Sequence, residues 1–156
     1  MLGNLDAILD KGQAWAREKE VEPAVLLQPR LVPDMLPLVR QVQIATDMAK
    51  NGCARLAGEQ PPAFPDEEAT FEELHARIAR ALEYVRGFDA ARLADSATRS
   101  ITVPSRTYGE MTFDGRGYLL GFVLPNLYFH VTTAYAILRQ AGVGLGKRDF
   151  MGAPPR

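Results

Sequence analysis

The sequence predicts an all-α protein, a four-helix bundle with a small irregular β-hairpin or loop insertion before the last helix. Three observations predict it. Apolar residues recur at three- and four-residue intervals in four separate stretches. Each stretch is bounded by proline or glycine. Between Phe88 and Gly115 the pattern changes to short β-branched runs around a turn. The chain of 156 residues has the size of one domain and is read as a single unit over 1–156.

The first helix runs roughly from Leu2 to Lys19, with Leu5, Ile8, Leu9 and Trp15 at helical spacing and Asp6, Asp10, Lys11 and Arg17 on other faces. Glu22-Pro23 stops it. Ala24 to Arg30 is apolar but bracketed by Pro23 and Pro29, which reads as a packed connector. Pro33-Asp34 opens the second helix, because proline in a first turn forfeits no needed donor and an acidic residue suits the positive end of the helix dipole. Met35, Leu38, Val42, Ala45 and Ala49 form its inward stripe, and Leu56-Ala57-Gly58 ends it.

Glu59 to Asp66 carries Pro61, Pro62 and Pro65 and is a loop. Thr70 followed by Glu73 is a capping box for the third helix, whose stripe is Phe71, Leu74, Ile78, Ala81, Leu82 and Val85, up to Gly87. Ile101-Thr102-Val103 and Glu110 to Phe113 are the two short strands, joined by the turn-rich Pro104-Ser105-Arg106-Thr107-Tyr108-Gly109. The last helix starts near Gly117 and ends near Gln140. Pro125 within it either kinks one helix or marks where two helical pieces meet.

Composition narrows the function classes. The chain is 47% apolar and 24% charged with a net charge of -1, ordinary for a globular protein, and its basic residues are interspersed with acidic ones. No basic stripe marks a nucleic-acid surface, so none is expected as a partner. Cys53 is the only cysteine, which excludes an intrachain disulfide and a cysteine zinc site. It reads as a buried, inert thiol. No segment has the form of a signal peptide, and the longest apolar stretch, Tyr118 to Leu124, is too short to cross a bilayer. A cytoplasmic protein with no membrane contact is expected.

The chemistry-bearing residues are few. His130, one of two histidines, shares a side of the last helix with Val123, Leu127, Val131, Ala134 and Leu138, so it points toward the bundle or its rim. Two readings follow: a buried histidine satisfied by a polar partner, or a site residue, since imidazole titrates near neutral pH. On the second helix Asp34, Gln41 and Met48 share an edge of the apolar face. Gln41, flanked by Leu38 and Val42, is a part-buried amide in need of a partner, for which His130 is a candidate. His75 reads as a helix-flank residue. Tyr128, Phe129 and Tyr135 suit a pocket wall, a subunit contact or plain core. The positions three and four after His130 are Thr133 and Ala134, so no paired-histidine or Glu-x-x-His metal motif exists. Neither a phosphate loop nor a Gly-x-Ser-x-Gly nucleophile turn is present.

Arg30-Leu31-Val32-Pro33-Asp34-Met35-Leu36-Pro37-Leu38 with Gln41-Val42, the Leu124-Pro125-Asn126 to Phe129-His130 run, Ala134-Tyr135, Leu138-Arg139 and Gly146-Lys147-Arg148-Asp149-Phe150 resemble an uncharacterised bacterial family. It is a domain of unknown function grouped with the DinB/YfiT-like metalloenzyme superfamily. The resemblance covers nearly the whole chain and implies a DinB-like four-helix bundle, often a homodimer. It also implies, for the wider superfamily, a divalent metal held by one histidine of the second helix and a His-x-x-x-His pair of the last, and in some members thiol-dependent transferase or isomerase activity. This chain departs from that pattern: its second helix has no histidine, Ala134 follows His130 by four, and Asn126 precedes it by four. No metal and no cofactor are therefore expected.

Three functions are consistent with these residues. The first is a metal-free bundle that binds a small molecule near Asp34, Gln41, His130 and Tyr135. The second is a structural or dimeric interaction protein without catalysis. The third, a metal-dependent enzyme related to the thiol transferases, needs unusual Asp/Gln/His ligation.

Overall fold

The computed structural model describes residues 1–105 and 107–153; Arg106, inside the expected hairpin turn, and residues 154–156 lie outside the described residues. The elements are α1 (Leu2–Glu18), α2 (Leu38–Leu56), α3 (Phe71–Arg86), the strands β1 (Ile101–Ser105) and β2 (Gly109–Phe113), α4, and a short α5 (Lys147–Met151). The long helix α4 opens with a turn at Gly115–Gly117, passes through a π-helical stretch Tyr118–Val123 and continues as α-helix Leu124–Gln140. α2 packs on both α3 and α4, and α1 closes the bundle against the other sides of α3 and α4.

The main core is the set of apolar stripes meeting inside the bundle. Leu5, Ile8 and Leu9 of α1, Leu38, Val42 and Ala45 of α2, Phe71, Leu74 and Ile78 of α3, and Val131, Ala134 and Leu138 of α4 are fully enclosed. A second, smaller core lies beneath the hairpin, where Ile101 and Val103 of β1 cover Leu56, Tyr118 and Val123. Phe113, Tyr118 and Phe122 pack as an aromatic trio there, with centroids 5.6–6.0 Å apart. The hairpin is antiparallel, with Ile101 opposite Phe113 and Ser105 opposite Gly109. Its alternation buries Ile101 and Val103 and exposes Thr102, whose hydroxyl meets that of Thr112 at 3.0 Å.

The capping box of α3 forms in full. The Glu73 amide donates to the Thr70 hydroxyl at 3.1 Å, and the Thr70 amide donates to the Glu73 carboxylate at 3.0 Å. The Ala69 and Thr70 amides, both donating to that carboxylate, hold the Glu73 carboxyl below its ordinary pKa. Gly58, at φ 78°, takes the left-handed conformation that turns the chain away from α2.

The start of α2 differs from expectation. Pro33-Asp34 forms an isolated turn, closed by the Met35 amide on the Val32 carbonyl, and the helix begins at Leu38 behind Pro37. The cause is the second proline. Pro37 drives Leu36 out of the helical region and itself sits at ψ 167°, so the first helical residue can only follow it. Asp34 consequently stands on an exposed turn instead of the first turn of a helix. Met35 also leaves the expected inward stripe.

Pro125 proves to mark a join between two helical pieces. Its ring would clash with the carbonyl four residues back in an unbroken α-helix, and the wider turn of the π stretch ends just before it, which puts Pro125 in the opening turn of the α segment. The Asn126 side-chain amide donates to the Phe122 carbonyl at 2.7 Å, supplying a donor at the join.

Candidate functional site

His130 and Gln41 are brought together. α4 places His130 half-buried against α2, and its Nδ1 lies 2.7 Å from Gln41 Oε1. The Gln41 amide is itself oriented from its other end, where Nε2 donates to the Leu36 carbonyl at 2.9 Å. That carbonyl is available because Pro37 holds Leu36 outside the helix. The chain of contacts sets the imidazole tautomer. A carbonyl can only accept, so the Gln41 nitrogen faces Leu36 and its oxygen faces His130; an oxygen without a hydrogen requires that Nδ1 donate. The neutral ring then carries its proton on Nδ1 and a lone pair on Nε2. Burial pushes the His130 pKa down, favouring this neutral form. Phe129 meets the imidazole edge-on, centroids 5.2 Å apart, and is itself 54% exposed.

The other two residues of the expected pocket stand elsewhere. Asp34 is on the exposed turn and makes no hydrogen bond or ion pair among the described residues. Tyr135 lies well round the helix from His130, five residues on, and packs edge-on against Phe150 of α5 at 6.5 Å, in a shallow apolar recess with Thr132 and Lys147. The four residues therefore do not form one pocket. Gln41 and His130 do form one contact.

The largest buried polar cluster was not anticipated. Arg77, its side chain 1% exposed, is surrounded by acceptors from α2 and from the loop ahead of α3. Its Nε donates to the Thr46 hydroxyl at 2.8 Å, and Nη1 donates to the Pro65 carbonyl at 2.8 Å and to Glu68 at 3.0 Å. Nη2 meets Asp47 at 3.1 Å and Asp66 at 3.0 Å. Lys50, 3% exposed, pairs with Asp47 at 3.3 Å and lies 4.3 Å over the Phe64 ring; burial lowers its pKa while Asp47 opposes that shift. The cluster ties the Pro-rich loop down onto α2 and α3. Its signal was present in the sequence. Leu74, Arg77, Ile78 and Ala81 fall at i, i+3, i+4 and i+7, which places a cation on the core face, three residues of acid (Asp66 to Glu68) just upstream.

His75 clasps α1 to α3, its Nδ1 at 2.6 Å from Asp6 and its Nε2 at 3.3 Å from Asp10. Cys53 is half-buried, and burial raises its pKa away from the reactive range.

A family model described as "Domain of unknown function (DUF1993)" matches residues 1–151. The chain belongs to the DUF1993 family. The crystal structure of a DinB family member protein from Shewanella denitrificans, at 1.83 Å resolution, superposes on it with a TM-score of 0.91 and 47% sequence identity, over 100% of this chain and 88% of that one. No curated protein matches it. This DUF1993 chain thus has the DinB-like bundle, with a two-stranded hairpin ahead of the last long helix.

The divalent metal of the wider DinB-like superfamily does not fit the residues present. Among the described residues, no three of His, Cys, Asp and Glu converge to hold an ion. At the positions four before and four after His130, the Asn126 amide is committed to the Phe122 carbonyl and Ala134 has no donor atom. Gln41 already spends its oxygen on His130. No helix among the described residues is long and apolar enough to cross a membrane.

Proposed function

We propose that this protein is a cytoplasmic, metal-free DinB-like bundle that binds a small ligand at His130. The observation that carries the reading is the Leu36–Gln41–His130 relay, which presents a neutral imidazole with its Nε2 lone pair uncommitted among the described residues. Such a nitrogen accepts a hydrogen bond from an O–H or N–H group at neutral pH. The exposed Phe129 ring gives the ligand an apolar wall beside the imidazole, as small-molecule sites generally do around a few polar anchors. Asp34 and Tyr135 have no part in this smaller site.

The test uses phenol, a hydroxyl donor on an apolar ring, titrated into the protein while the histidine ring nitrogens are followed by NMR. The expected result is a Nδ1-protonated His130 whose Nε2 signal moves on addition of phenol, and loss of that response in His130→Ala with the fold retained. A His130 ring protonated at Nε2, or one indifferent to phenol, overturns the reading.

A second reading is favoured by one further observation. From Gly117 to Leu138 the chain contains no Asp, Glu, Lys or Arg. On its outer side α4 exposes Pro125, Tyr128, Phe129 and Thr132 at i, i+3, i+4 and i+7, with Tyr128 45% and Phe129 54% exposed. An aromatic, uncharged helix face suits a homodimer contact. Analytical ultracentrifugation of the native chain and of Phe129→Glu tests it: a dimer that becomes a monomer supports the contact, and a native monomer overturns it.

A further inference from the structure

A second polar site lies at the opposite end of α2 from the His130 pair. An open cleft of about 550 Å³ separates the end of α2 from β1, lined among others by Arg55, Glu59, Arg99, Ser100 and Thr102. Arg55 and Arg99 are both half-buried there, and neither pairs with a carboxylate among the described residues. Each guanidinium is nevertheless held in place. Arg99 Nε donates to the Leu56 carbonyl at 3.1 Å, at the end of α2, and Arg55 Nη1 donates to the buried Tyr118 hydroxyl at 3.2 Å. Arg99 Nη1 also lies 2.4 Å from where a Cβ on Gly58 would stand, so a side chain at 58, already strained at φ 78°, would displace the guanidinium.

The one acid lining the cleft does not neutralise them. Glu59 is taken by Arg92 at 2.6 Å. Two cations share a concave surface, each anchored through one N–H and left with further donors. Neutral anchors orient a guanidinium without cancelling its charge. Orientation without neutralisation suits an anion-binding site, because the planar fork of arginine offers paired donors matched to phosphate and carboxylate oxygens. The Ser100 hydroxyl is exposed at the same wall and adds a neutral donor.

We propose that this cleft binds a small molecule through a phosphate group, held between the Arg55 and Arg99 forks. The site is independent of His130, and neither reading depends on the other. A tetrahedral oxyanion can accept from both forks and the serine at once, whereas a carboxylate has only one plane of oxygens to share.

Inorganic phosphate is the probe, with acetate as the planar comparison, both at constant ionic strength. Amide and arginine side-chain NMR signals of residues 55–60 and 99–102 report occupancy. The expected result is saturable movement of those signals with phosphate, at lower concentrations than with acetate. Arg55→Gln is expected to weaken phosphate binding about tenfold or more, the loss expected for a charge-assisted pair. Arg99→Lys keeps a donor for the Leu56 carbonyl but loses the fork, and is expected to weaken binding while retaining the fold. Ser100→Asp supplies an internal anion: it is expected to abolish phosphate binding and to raise Tm by about 2–4 °C. Absence of saturable shifts in the native protein overturns the proposal. So does unaltered binding in Arg55→Gln, or a fall in Tm for Ser100→Asp. Tighter binding of acetate than of phosphate overturns the assignment of the ligand class. A 20-residue single-stranded DNA competing better than free phosphate overturns the small-molecule source.

Discussion

Gly52 of α2 and Val123 of α4 touch so closely that a side chain at 52 has no room: a Cβ there would fall 2.8 Å from Val123 Cγ1. The contact lets the end of the π stretch sit directly on α2. Gly52→Ala gains about 1 kcal/mol in helix propensity but overpacks the join, at a cost of about 1–3 kcal/mol. Net destabilisation in urea unfolding is expected, with recovery in the double variant Gly52→Ala, Val123→Ala. Gly3 of α1 has nothing within 4 Å of its Cβ position, so Gly3→Ala is expected to stabilise by about 0.5–1 kcal/mol. Equal effects at the two glycines would contradict the packing described.

Arg77 is the buried cation that three acidic groups share. Its replacement by Met removes the charge, leaving Glu68 with only the Gln43 amide while Asp47 keeps Lys50 and Asp66 keeps Arg40. Losing the bonds that Arg77 makes is expected to cost about 1–3 kcal/mol, more than an exposed ion pair contributes. Chemical denaturation should show that loss. Limited proteolysis should then cut within 59–69 first, since the Pro65 carbonyl and Glu68 lose their anchor. A variant as stable as the native chain would show that the cluster is ornamental.

The pH dependence of His130 has a definite sign. Burial holds its folded pKa below the ordinary imidazole value, so as pH falls the unfolded chain takes up the proton first. Protons then favour the unfolded state, and stability present above about pH 6.5 is lost through the window between the unfolded and folded pKa values. His130→Asn can still donate to Gln41 but does not titrate. The native-minus-variant stability difference, measured from pH 8 to pH 5, is expected to move against the native protein as pH falls; every other titrating group is common to both. A difference independent of pH would rule out a buried neutral imidazole.

The metal expectation is also open to a direct measurement. Elemental analysis should find no stoichiometric Zn, Ni, Fe or Mn, and EDTA should leave Tm unchanged. A bound metal lost together with stability in EDTA would place His130 in a donor set unlike the one described.

Much of this was legible in the sequence, for local reasons. The capping box at Thr70 and Glu73, the hairpin at Ile101 and Phe113, and the four apolar stripes are short-range patterns, and each forms as read, Met35 excepted. The pairing of Gln41 with His130 was also inferable, because a part-buried amide on one apolar face and a lone imidazole on another each lack a partner. Asp34 was misplaced because two prolines competed to start α2, and spacing alone does not say that the later one wins. Tyr135 was grouped with His130 by proximity along the chain, although five residues turn it well away. Arg77 was passed over because a charge on a core stripe looks like noise until the acids that meet it, 9 to 30 residues away in sequence, are folded alongside.

The π stretch Tyr118–Val123 acts as a phase shifter along α4. A wider turn there accommodates about one residue more than an α-helical turn would, and one residue is about 100° of rotation. The aromatic residues that dock the hairpin are thereby set on a different helical phase from His130. Deleting one residue between Leu119 and Phe122 would bring the two halves into a single α-helical register. Both Tyr118 in the hairpin core and His130 beside Gln41 would keep their faces, whereas the same deletion between Leu124 and Phe129, in the α-helical part, would turn one end of the molecule by about 100° against the other.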